Sequence, residues 1–135
     1  MGLDHGIDLL KKNEPGSQFK YSVVDGFSIT WRNCNQFRSW FENNAENFSD
    51  NGTTIIDRDL LVDFLDVLEK VSADYSRAPE LLPTEAGFFF GGLDYGEHYF
   101  SKIDTAINEV SELLNRVSEE YLTDNQYELG YWEWY

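Results

Sequence analysis

The chain has 135 residues, 41% of them hydrophobic and 16% aromatic, and a single cysteine, Cys34. That is the length of one domain, with enough large rings to build a core without disulfide or metal staples. A formal net charge of −15, from 25 acidic and 10 basic residues, repels phosphate backbones and anionic lipid headgroups, which argues against direct nucleic-acid binding and against a polybasic membrane anchor.

In chain order, Leu3, Ile7, Leu9 and Leu10 suggest a short helix, 13–17 a Pro-Gly turn, and Phe19, Tyr21, Val23 and Val24 a short extended piece. Trp31, Cys34, Phe37, Trp40 and Phe41 recur at helical spacing and predict a first helix over 28–46. The β-branched run Thr53-Thr54-Ile55-Ile56 predicts a strand. Asp57 is a good N-cap for a second helix over 58–74, with Leu60, Leu61, Phe64, Leu65, Leu68 and Val71 in its apolar stripe. A loop over 76–94 encloses Phe88, Phe89 and Phe90. A third helix over 95–122 carries the stripe Tyr99, Phe100, Ile103, Ala106, Ile107, Val110, Leu113, Leu114, Val117 and Tyr121. The last segment, 126–135, predicts a strand with Tyr127, Leu129, Tyr131 and Tyr135 on one face and Trp132 and Trp134 on the other, pairing with 53–56. The expected fold class is α+β, three helices packed on a small antiparallel sheet. One domain is expected over 1–135, with 27–135 as its core and 1–26 as an N-terminal segment.

No phosphate-binding glycine motif is present, and no cofactor is expected. Asp94, Glu97 and His98 are close enough in sequence to ligate a metal, but acids also suit the first turn of a helix. Cys34 on an apolar stripe reads as a packed thiol more readily than as a nucleophile.

Two features remain as candidate sites. Arg32 and Arg38 sit among Trp31, Gln36 and Trp40. With Gly87, Phe89, Gly91 and Tyr95 of the long loop, Arg32, Gln36 and Trp40 make a candidate pocket for a small anionic or aromatic ligand, nucleotide-like in character. The competing reading is an internal Arg–carboxylate pair pinning the loop to the first helix. The second feature is acidic. Asp59, Asp63 and Asp66 fall on one face of the second helix and Glu109 and Glu112 extend the pattern on the third. Such residues form either a solvated face or a docking surface for a basic partner.

Two stretches carry a family resemblance. Trp31-Arg32-Asn33-Cys34-Asn35-Gln36-Phe37-Arg38-Ser39-Trp40-Phe41 resembles the W-R-K-x-x-x-I-H-x-W-F segment of a family of small phage and prophage proteins of unassigned activity. Leu82-Pro83-Thr84-Glu85-Ala86-Gly87-Phe88-Phe89-Phe90-Gly91-Gly92 resembles that family's L-P-x-T-S-G-F-F-F-G-S signature. The chain departs from the first motif at Asn33, Arg38 and Ser39. The resemblance implies a phage or prophage origin and a fold, but no reaction. Together with the charge, it leads to the expectation of a non-enzymatic protein in the host cytoplasm. This protein would dock on a basic host protein and inhibit nucleic-acid handling or defence, as an anti-restriction or anti-CRISPR factor or a DNA mimic. A ligand-binding protein or small enzyme, and a virion or assembly component, are the alternatives.

Overall fold

The computed structural model describes residues 2–87 and 91–135. It is an α+β structure built on an open five-stranded antiparallel sheet. The strands are β1 (Asp4–Lys12), β2 (Tyr21–Val23), β3 (Ile29–Arg32), β4 (Thr53–Ile56) and β5 (Tyr127–Trp134). The helices are α1 (Asn35–Asn44), α2 (Arg58–Ala73), α3 (Ala78–Leu81), α4 (Glu97–Arg116) and α5 (Glu119–Asn125), with a 3-10 turn at Tyr75–Arg77.

β1 is central, and this corrects the N-terminal helix expected from Leu3, Ile7, Leu9 and Leu10. It pairs with β5 from Asp4↔Trp134 to Lys11↔Tyr127 on one side. On the other side it pairs with β3 near its start and β2 near its end. Leu3, His5, Ile7 and Leu9 are buried at a spacing of two, the period of a strand with one covered face, and not at helical spacing. β4 pairs with β5 in the expected way, Ile56 opposite Leu129.

Among the described residues there are five helices, not three. The predicted helix over 28–46 is a strand followed by a helix. Trp31 lies in β3, and Asn33 and Cys34 then adopt left-handed backbone angles (φ 63° and 50°) that turn the chain into α1. The predicted helix over 95–122 divides at Val117. Arg58 closes α4 by donating from Nε to the Val117 carbonyl (2.7 Å) and from its guanidinium to that of Leu114 (2.9 Å). Ser118 then accepts from the Tyr121 amide (3.0 Å) and starts α5. α3 lies inside the stretch expected to be all loop.

β3 and β4 alternate buried and exposed residues, so one sheet face is covered and the other open. The covered face meets α1, α2 and α4 around Phe64. Its ring touches Trp31, Phe37, Trp40 and Phe41 at centroid distances of 4.8–5.9 Å. Each such contact adds about 0.5–1.5 kcal/mol beyond area burial. On the open face a Cβ at Gly6 would lie 1.7 Å from the Ile29 carbonyl oxygen, so β1 and β3 can approach only with glycine there. No described helix is long and apolar enough to cross a membrane.

Candidate functional site

The first candidate region is the Arg38 cluster. α1 aims the Arg38 side chain, 4% exposed, at four carboxylates: Glu42 (3.1 Å), Asp50 (3.0 Å), Glu85 (3.2 Å) and Glu133 (3.0 Å). The Glu133 side chain is fully buried. It also accepts from the Asn51 amide (2.7 Å). Burial opposes the Arg38 charge, but Glu133 and Glu85 outweigh it and hold the guanidinium above its ordinary value. Burial likewise pushes the Glu133 carboxyl up, and the Asn51 amide and Arg38 only partly offset that.

The network continues inward. Tyr131 lies 3.2 Å from Glu133 and 2.7 Å from His5 Nδ1. His5 Nε2 meets the Asn33 carbonyl, which can only accept, so Nε2 carries the proton, and neutral Nδ1 and the Glu133 carboxylate are competing acceptors for the single Tyr131 hydroxyl proton. Burial lowers the His5 pKa to about 3, despite the Asn33 hydrogen bond. The Arg38–Glu85 pair ties the long loop to α1, the structural role weighed for an arginine in this motif.

The second region is a cavity of about 290 Å³ between the starts of α1 and α4, bordered by Asn33, Cys34, Asn35, Gln36, Gly92, Asp94, Gly96, Glu97, His98, Tyr99 and Lys102. It draws together only part of the predicted pocket. Gln36 lines it. Gly91 packs beside it, since a Cβ there would lie 2.9 Å from Asn33 Cβ. Arg32 does not line it; the guanidinium is half exposed and pairs with Asp4 at 3.0 Å. Arg32 and Gln36 therefore do not share a helix face, because Arg32 belongs to β3. Trp40 is in the aromatic core, 8% exposed. Gly87 is exposed, and the Tyr95 hydroxyl accepts from the Thr84 amide at 3.1 Å. Phe89 lies outside the described residues. Asn35 holds the loop at two points: its amide donates to the Gly92 carbonyl (2.7 Å) and its carbonyl accepts from the Glu85 amide (2.8 Å). Cys34 is a thiol at neutral pH, because burial pushes its pKa up to about 11.

The third region is a groove of about 290 Å³ bordered by Asn44, Glu46, Ile55, Ile56, Asp57, Asp59, Leu60 and Asp63. Four carboxylates line it, with no lysine or arginine. Asp57 accepts from the Leu60 amide (2.8 Å), and it and Asp59 sit where the α2 macrodipole favours an acid. Asp63 lies beyond the first turn, and neither it nor Glu46 has an ion pair or hydrogen bond among the described residues. The other predicted acids fall elsewhere. Asp66 pairs with Lys70 (2.8 Å). Glu109 accepts from Trp31 Nε1 (3.2 Å), and Glu109 and Glu112 border a different groove beside Gly26 and Arg116. Glu46 and Asp57 escaped the sequence reading. Asp57 was read only as a cap, and Glu46 reaches the groove through the chain reversal after α1.

Among the described residues no group of three or more His, Cys, Asp or Glu is placed to hold a metal ion. In class, then, the molecule is an open-sheet α+β protein with an acidic groove and a small polar cavity. Comparison with protein-family models, curated proteins and solved structures gives no match.

Proposed function

We propose that the chain is a binding protein whose acidic groove receives Lys or Arg side chains of a basic partner protein. The observation that carries this is the convergence of Glu46, Asp57, Asp59 and Asp63 on one concave surface lined by no cation. Like charges at Asp59 and Asp63 cost the helix a few tenths of a kcal/mol, a cost that a cationic partner would reverse. Ile55, 38% exposed, and Leu60 give the groove the apolar element that protein interfaces combine with a polar rim. The net charge of −15 would steer a basic partner from a distance. The phage-family resemblance of the Trp31–Phe41 and Leu82–Gly92 segments supports a more specific form: a phage-encoded protein that occupies the nucleic-acid-binding surface of a host defence or nucleic-acid-handling factor.

The test is affinity for a partner captured at low salt, identified and purified. The Asp59→Asn/Asp63→Asn variant is expected to bind about tenfold to hundredfold more weakly, with a shallower salt dependence. Its unfolding midpoint should change little, since the repulsion removed and the macrodipole interaction lost at Asp59 oppose each other. Equal affinity of variant and parent, at low and high salt, would refute the groove's role.

A further inference from the structure

A separate observation concerns the cavity between α1 and α4. Gln36 is only 4% exposed and lines this cavity, yet its side-chain amide has no hydrogen-bond partner among the described residues. The amide opens onto the cavity, so whatever it hydrogen-bonds there, water or ligand, comes from outside the chain. Around it are two helix starts, of ten and twenty residues, neither capped by a side chain. The positive ends of both helices thus border one space. Lys102, half-buried on the same wall, forms no ion pair among the described residues. Asp94 and Glu97 supply negative charge on the rim.

We propose that this cavity binds a small zwitterion of the amino-acid class. The ligand's carboxylate takes the Gln36 amide, Lys102 and the helix starts, and its ammonium takes Asp94 and Glu97. Both charges are needed for two reasons. The lining itself carries both signs, and a free anion would have to enter against the field of a chain with net charge −15, whereas a zwitterion has no net charge to repel. A volume of about 290 Å³ is at the lower end for ligand sites. It suits a metabolite of amino-acid size better than the nucleotide-like ligand expected from the sequence.

The test is thermal unfolding of the whole chain with each of the twenty standard amino acids at millimolar concentration. For any that bind, the corresponding carboxylic acid without the ammonium group is tested, and the corresponding carboxamide; inorganic phosphate is a further arm. At least one amino acid should raise Tm by roughly 5–10 °C near saturation, and neither its single-charge analogues nor phosphate should. Gln36→Leu should leave the ligand-free chain folded and should abolish the shift. Lys102→Met, at a less buried position, should abolish it too. No shift with any amino acid, equal shifts with the carboxylic acid or phosphate, or a shift retained by Gln36→Leu would each overturn the proposal.

Discussion

Arg38→Ala is expected to lower the free energy of unfolding by about 3–5 kcal/mol, the range for breaking a buried ion pair by removing one partner. The loss is large because Glu133 remains, its side chain fully buried. Glu42, Asp50 and Glu85 would then face one another without the guanidinium that brings them together. Domains are stable by about 5–15 kcal/mol in total, so the variant should lie near its unfolding midpoint in little urea. Arg38→Ala/Glu133→Gln should recover part of the loss, since the uncompensated buried charge goes with the second change. If Arg38 instead served an external anion, Arg38→Ala would unfold at the parental urea concentration.

The second large effect is on pH dependence and centres on His5. Its folded-state pKa of about 3 lies below the unfolded value of 6.5. The unfolded chain therefore takes up the proton first as pH falls. Stability present above the unfolded value is lost on acidification, by about 1.4 kcal/mol per pH unit in the window between the two values. Asp4, Arg38, Tyr131 and Glu133 are the charged or titratable groups around the ring. Glu85 and Glu133 act in the opposite sense. Burial raises both, so their contribution is present at low pH and is lost as pH rises through their folded values. The difference between the parent and His5→Gln isolates the imidazole. Urea unfolding of both at pH 7, 6, 5 and 4 should show the parent losing stability relative to the variant below about pH 6. Parallel curves would mean that His5 takes up its proton in the folded chain as readily as in the unfolded one.

What could be read from the sequence depended on whether the deciding contacts were local. Asp57, the β4 run and the α2 stripe announce themselves within a few residues, and all lie where the pattern places them. β1 was hidden because its partners, β5 and β3, lie far along the chain, and because polar His5 interrupts, and Leu10 adjoins, the every-second-residue series Leu3, Ile7 and Leu9 that marks a strand. The Asn33–Cys34 turn was masked because Trp31 and Cys34 continue the apolar spacing of α1 although the backbone between them is left-handed. For the sites the same limit holds. Only Glu42 of the Arg38 cluster is readable by helical spacing; Asp50, Glu85 and Glu133 arrive through tertiary structure. Asp59 and Asp63 could be paired by their four-residue separation, but no spacing rule connects them to Glu46. Lys102 drew no notice on the α4 stripe because its cavity exists only once α1 and the long loop are in place.

Whether the groove on α2 is the docking surface is tested most directly by NMR. The ¹⁵N-labelled chain is titrated with the purified partner, or with a Lys/Arg-rich peptide from it, at low and at high salt. Amide shifts concentrated at 44–46 and 55–63, fading at high salt, are the predicted result. Shifts spread evenly over the acidic surface, or concentrated at residues away from α2 and β4, would contradict it.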